Sequence, residues 1–264
     1  MKTIGILGCG WLGLHLSHYL LAKQYSIKGS TTSETKLPEL QAAGIIPYLV
    51  NLQDIQEEQI HSFLTNLDVV VITIPPTRGE ESDLYQQSFE RLVPYLNQHG
   101  IKNVIMMSSV SVYAPQEQEV TEDSNFYSND PTSKQILAAE KVLLQAPGLT
   151  TYILRLGGLF GPDRKPVRYI VNRGMLDNPE LPVNMIHLRD ILQFTAALLA
   201  QEFTATNVFN FVSPMYSNRL DYYTQEAEEL GLTLPPLGEN DWTTFRKISG
   251  AKIVKYTGLD YLKA

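Results

Sequence analysis

The chain is 264 residues long, 44% apolar and 19% charged, with a formal net charge of −7 and one cysteine. That length can bury a sizeable core, as one α/β domain with an elaboration or as two unequal lobes. The charge argues against a nucleic-acid partner, the lone Cys9 rules out an internal disulfide or a cysteine-based metal site, and no run approaches the ~18 apolar residues of a membrane span.

Apolar periodicity, taken in chain order, predicts strand 3–7, helix 12–23, strand 26–29, helix 34–43, strand 46–50, helix 55–64 and strand 69–74. Helix 82–98, strand 103–107, helix 132–145, strand 152–156, helix 191–200 and strand 208–211 follow. The repeated βα order implies a doubly wound, Rossmann-type parallel sheet with helices on both faces. Val69-Val70-Val71-Ile72 is continuous rather than alternating, as a strand buried on both sides requires. Residues 161–189 contain four prolines, and the chain after Ser213 carries one helix, 220–230, and a proline-rich connection. These pieces are expected to form a small α+β substrate lobe (161–189 and 213–264) beside a dinucleotide-binding domain (1–160, its sheet completed by 190–212). Ligands of such sheets sit beyond the carboxyl ends of the strands, so the loops after Leu7, Gly29, Ile74, Met107 and Leu156 are expected to face one cleft.

The first of these loops carries the strongest signal. Gly8-Cys9-Gly10-Trp11-Leu12-Gly13 lies directly between a predicted strand and a predicted helix. Gly8 allows a tight turn, Gly10 lets backbone approach a pyrophosphate, Gly13 lets helix pack on strand, and the helix N-terminus favours an anion. The blander alternative is a structural glycine turn. The same glycines interrupt the opening apolar strand too soon for a signal peptide, so the cytoplasm is the expected compartment. Cys9 contributes backbone rather than a reactive thiol, since no histidine partner is identifiable.

After the second strand an NAD site usually places an acid on the adenosine ribose. Here the stretch is Gly29-Ser30-Thr31-Thr32-Ser33, with no acid before Glu34. Thr31 and Thr32 are candidates to hold a 2′-phosphate, with Lys36 neutralising part of its charge, so NADP is favoured and NAD is the alternative. Thr32 or Ser33 as a plain helix cap is compatible with either. Pro75-Pro76 stops the fourth strand, where it would lie beside the adenosine. Glu80-Glu81-Ser82-Asp83 puts acids in the first turn of a helix, where the helix dipole favours them. His15 and His18 lack a third partner at a metal-ligand spacing and read as ordinary helix residues.

Three later motifs carry a resemblance. Ser108-Ser109-Val110-Ser111-Val112-Tyr113, Leu154-Arg155-Leu156-Gly157-Gly158-Leu159-Phe160-Gly161-Pro162 and Asn184-Met185-Ile186-His187-Leu188-Arg189-Asp190 resemble the extended short-chain dehydrogenase/reductase family, in its NAD-dependent epimerase/dehydratase branch. The resemblance implies hydride transfer between nicotinamide and a hydroxyl-bearing carbon, often of a nucleotide-linked sugar. It implies Ser109 on the substrate oxygen, Lys134 on the nicotinamide ribose, Gly157, Gly158 and Leu159 at the nicotinamide face, and Asn184 and His187 on the substrate side. The family's tyrosine acid is absent four residues before Lys134, where Asp130-Pro131 reads as a helix cap and first-turn proline. Tyr127 and Tyr113 are the candidate substitutes. Arg189 stands where the family commonly has an acid. Arg164 and Arg168 are candidates for a substrate phosphate, with solvated surface arginines as the blander reading. Two functions stay open: an oxidoreductase acting on a sugar-like or small polar hydroxyl substrate, and a non-catalytic NADP-binding regulatory or redox-sensing protein. The expected partner is a small molecule, with homodimerisation allowed.

Overall fold

The structure is a computed structural model that describes residues 2–76, 83–214 and 217–262. Glu80, Glu81 and Ser82, expected to open the fourth helix, lie outside the described residues. The elements run β1 Thr3–Leu7, α1 Trp11–Ala22, β2 Ser26–Thr31, α2 Leu37–Ala42, β3 Ile46–Leu49, α3 Glu57–Leu64, β4 Val69–Ile72 and α4 Asp83–Gln98. Then come β5 Asn103–Ser109, α5 Pro131–Gln145, β6 Thr150–Leu156, β7 Gly158–Phe160, α6 Pro166–Arg173, β8 Met185–His187, α7 Leu188–Ala200, β9 Asn207–Phe211, α8 Arg219–Leu230 and α9 Ala251–Thr257. The chain forms two compact units: Met1–Ser109, Asn129–Leu154 and Thr195–Val208 in the first, and Val110–Ser128, Arg155–Phe194 and Phe209–Ala264 in the second.

The main sheet has seven strands in the order β3-β2-β1-β4-β5-β6-β9. The pairs β1–β2, β1–β4, β2–β3 and β4–β5 are all parallel. This is the doubly wound parallel α/β architecture expected from the βα alternation. β4 is buried along its whole length, which is why its four residues are all β-branched and apolar. In the first unit the sheet order places the carboxyl ends of β1 and β4 side by side, with β2 flanking β1.

Several expected boundaries shift for local reasons. Helix 34–43 divides into a 3-10 turn, Glu34–Lys36, and α2, because Pro38 sits in the first turn of α2 and cannot donate to the preceding one. Strand 69–74 stops at Ile72, ahead of Pro75-Pro76. Residues 158–160, not predicted as a strand, and 185–187, within the segment placed outside the sheet core, form a separate parallel pair, β7–β8, with Gly158 opposite Met185 and Phe160 opposite His187. Three-residue strands are too short to register as a period-2 pattern.

In the second unit α6 and α8 were expected to be turns and a helix respectively; α6 is a helix with Pro166 in its first turn and Gly174 at its left-handed end. Val167 and Ile170 of α6 bury against Tyr222, Tyr223 and Ala227 of α8, with Leu176, Val183 and Met185 completing that core. α9, which buries Ile253 alone, was also absent from the sequence reading. Among the described residues no helix is long and apolar enough to cross a membrane.

Candidate functional site

The glycine loop joins β1 to α1 in the first unit. Gly8 has φ +105°, in the left-handed region that favours glycine. Its amide donates to Ser30 Oγ at 2.9 Å and its carbonyl accepts from Thr73 Oγ1 at 2.5 Å, while the Cys9 amide donates to the Ser30 carbonyl at 2.7 Å. The turn is therefore clamped by β2 on one side and by the residue following β4 on the other. A Cβ on Gly13 would meet the Gly8 carbonyl oxygen, so α1 rests directly on the loop backbone. A Cβ on Gly10 would meet nothing within 4 Å. Gly10 is also the N-cap of α1, its carbonyl accepts the first helical bond from the Leu14 amide at 2.9 Å, and the first turn holds no acid. Open space against backbone, ahead of a helix N-terminus, fits a pyrophosphate. Leu12 is buried, and Trp11 lies edge-on to His15 at 5.3 Å.

The Cys9 thiol faces away from that space. It lies 4.0 Å from the Ile6 carbonyl and from Ser17 Oγ, and a Cβ on Gly29 would approach it to 2.6 Å. Burial pushes the thiol up to about 11, so it is a packed core group at neutral pH.

A cavity of about 340 Å³ opens over the loop, lined by Gly8, Cys9, Gly10, Thr31, Thr32 and Lys36, and by Asn51, Gln53, Pro75 and Tyr85 among others. It collects the ends of β1 to β4. Among the described residues, no Asp or Glu lines it. Thr32 and Lys36 are exposed, whereas Ser30 is buried and already spent on the Gly8 amide. Ser33 takes the N-cap position of the 3-10 turn without a side-chain cap bond; its hydroxyl pairs with Thr35 Oγ1 at 2.8 Å. Pro75 is exposed, and Pro76 is half-buried beside it.

Ser109 ends β5, half-buried. Lys134 stands exposed in the first turns of α5. Asp130 caps that helix as expected: its carboxylate accepts from the Ser133 amide at 2.9 Å and from Ser133 Oγ at 3.1 Å.

In the second unit Tyr113 and Tyr127 form an antiparallel bridge and stack, with ring centroids 6.2 Å apart. Tyr113 is fully buried and its hydroxyl donates to Asn210 Oδ1 at 2.9 Å. Burial raises its phenol above the ordinary value, with Arg155 opposing that rise. Tyr127 is 41% exposed. The buried Arg155 guanidinium lies 4.8 Å from the Tyr113 ring and 5.5 Å from the Tyr127 ring. Arg155 was passed over in the sequence, although a charge inside the apolar run Tyr152–Leu156 is a visible signal of a buried partner.

Gly157 is buried against the Asn184 carbonyl, and Gly158 is exposed while its amide donates to that carbonyl at 2.8 Å; Leu159 is half-buried between them and Phe160. Asn184 uses both ends of its amide, donating to the Arg246 carbonyl at 2.8 Å and accepting from the Ile248 amide at 3.0 Å. His187 Nδ1 accepts from the Arg189 amide at 3.0 Å, and burial, followed by Arg189 and Lys165, lowers its pKa. The ring is thereby held as the Nε2–H tautomer at neutral pH. Arg164 and Arg168 are exposed. A second cavity, about 830 Å³, lies within this unit, and of the expected substrate residues Asn184 alone lines it.

Comparison with known proteins places this geometry. A family profile described as NAD(P)H-binding matches residues 8–202. Protein YeeZ of Escherichia coli (strain K12) is 31% identical over 265 residues, spanning 99% of this chain and 96% of that protein. Among solved structures, a UDP-glucose-4-epimerase from Stenotrophomonas maltophila with bound NAD superposes with a TM-score of 0.83 at 13% identity, covering 100% of this chain and 94% of that one. A dTDP-glucose 4,6-dehydratase from Streptomyces venezuelae with NAD bound gives 0.81 at 17%, covering 100% and 93%. With its glycine loop, its sheet order and these matches, the chain belongs to the NAD(P)H-binding family and has the fold of the epimerase/dehydratase type.

Proposed function

We propose that this protein is an NADP-preferring oxidoreductase of the epimerase/dehydratase type, acting on a small, sugar-like hydroxyl compound. One observation carries the cofactor preference: Thr31, Thr32 and the exposed Lys36 line the cavity beside the glycine loop, and among the described residues no carboxylate does. A carboxylate there would accept from ribose hydroxyls and repel a phosphate; hydroxyls and an ammonium favour the phosphate. Gly8, Gly10 and the start of α1 would hold the pyrophosphate. When bound, the dinucleotide supplies or accepts hydride at a hydroxyl-bearing carbon. Ser109 binds the substrate oxygen, Lys134 holds the nicotinamide ribose, and Tyr127 moves the substrate proton. Tyr127 is preferred over Tyr113 because the latter is buried and its hydroxyl is committed to Asn210.

Titration with NADP and NAD tests the cofactor assignment. Wild-type protein should bind NADP more tightly, and Lys36→Ala should weaken NADP about tenfold while leaving NAD unchanged. Equal affinities in the wild type remove the preference, and no binding of either at millimolar concentration removes the reading. Asp130, used as a helix cap, favours a second reading, in which the dinucleotide is a regulatory ligand without turnover. Tyr127→Phe separates the two: loss of turnover with intact binding supports the enzyme.

A further inference from the structure

Away from the glycine loop, α3 with the segment before it and α4 with the residue after it are joined by polar rungs four residues apart on each side. Arg91 Nη1 donates to the Gln53 carbonyl at 2.8 Å, Tyr95 donates to Glu57 Oε1 at 2.7 Å, and His61 Nδ1 lies 2.8 Å from His99 Nε2. The second and third rungs share a group, since Glu57 Oε2 is 3.2 Å from His61 Nε2. The first rung ends on the cofactor cavity, because Gln53 lines it, as do Tyr85 and Ser88 one turn or so before Arg91 on α4. At the C-terminal end of α3, near the third rung, Lys28 Nζ of β2 donates to the carbonyls of Ser62 and Thr65, each at 2.8 Å.

The outermost rung responds to protons in a defined way. With both imidazoles neutral, His61 Nε2–H faces Glu57, and its Nδ1 accepts from His99 Nε2–H. One added proton is accommodated: His61 then donates to both Glu57 and His99, in an ion pair with the former. A second proton puts N–H against N–H across 2.8 Å, and two positive rings face one another beside Lys28. Burial, His61 and Lys28 all lower the pKa of His99 below the usual histidine value.

We propose that the His61–His99 contact makes dinucleotide binding proton-linked: double protonation parts the outer ends of α3 and α4 and loosens the cavity wall that Gln53, Tyr85 and Ser88 provide. The proposal rests on the cofactor reading above. By reciprocity, bound dinucleotide drives the second proton off the pair.

The test is calorimetric titration of NADP into wild-type and His99→Gln protein from pH 8 to pH 5. Glutamine keeps a donor for His61 and takes no proton. Both proteins should bind alike at pH 8, and below pH 6 the wild type should lose at least about fivefold more affinity than the variant. The ligand's own phosphate titrates identically in both, so the difference isolates the histidines. Parallel pH profiles overturn the linkage while leaving the cofactor reading intact; no binding at pH 8 overturns the cofactor reading and the linkage with it. Should the variant fail to fold, the imidazole resonances of the wild type decide: the pair should titrate in two steps with the lower moved further down by NADP, and an unmoved lower step overturns the proposal.

Discussion

Two glycines of one loop make opposite demands. Alanine is normally favoured over glycine inside a helix by about 1 kcal/mol. At Gly13 the added methyl would run into the Gly8 carbonyl oxygen and Thr73 Oγ1, and a backbone oxygen in a clamped turn cannot move aside. Gly13→Ala should therefore lower stability by ~1–3 kcal/mol, read as a falling midpoint in denaturant, and weaken dinucleotide binding with it. At Gly10 the methyl enters open space, so Gly10→Ala should leave the midpoint within ~0.5 kcal/mol of wild type and still lose affinity, because the methyl occupies the ligand's place. Equal losses of stability would contradict the loop geometry. Spacing alone assigns both positions; that Ser30, beside the candidate Thr31 and Thr32, accepts from the Gly8 amide is set by the fold.

Among the elements, α5 bears on the question of turnover. Asp130-Pro131 is legible as a cap because its partner lies within one turn, and Ser133 donates to the carboxylate through both its amide and its hydroxyl. Asp130→Ala should cost ~1 kcal/mol of stability, whereas Asp130→Asn retains an acceptor and should be nearly silent in both stability and the pH dependence of turnover. A large loss of turnover in Asp130→Asn at unchanged stability would instead assign the proton transfer to that carboxylate. β8 shows the contrary case. Asn184 resembled a substrate ligand by motif, yet its amide fastens residues 246 and 248, so Asn184→Ala should speed amide hydrogen exchange at Ile248 and lower stability by ~1–3 kcal/mol. An unchanged exchange rate would return Asn184 to the substrate.

For the folded chain as a whole, burial sets the pH dependence of stability. Glu122, Asp190 and Glu226 of the second unit are each raised above the ordinary carboxylate range by burial, against the hydrogen bonds they accept. A raised carboxylate holds its proton more tightly in the folded state, so it favours folding at low pH, and that contribution is lost as pH rises through its folded value. His187 acts in the opposite sense: its lowered value gives a contribution present above ordinary histidine titration and lost as pH falls. Glu122→Gln should preserve the acceptor for the Asn210 amide, raise the melting temperature at pH 8 and give little change at pH 4. A variant less stable at pH 8 than wild type would show that the charged form of Glu122 is the stabilising one.

What the sequence alone determined is what near neighbours decide. The βα alternation, the glycine turn, the Asp130 cap and the absence of an acid before Glu34 all follow from residues within a turn or two of one another, where propensity and spacing act directly. What only the tertiary structure decided is which polar groups remain to meet a ligand. Ser30 reaches the Gly8 amide across 22 residues, Asn184 reaches the Arg246 carbonyl across 62, and Tyr113 reaches Asn210 across 97. The His61–His99 contact spans 38. A buried polar group must find a partner wherever the fold supplies one, and no local pattern records a partner so far along the chain.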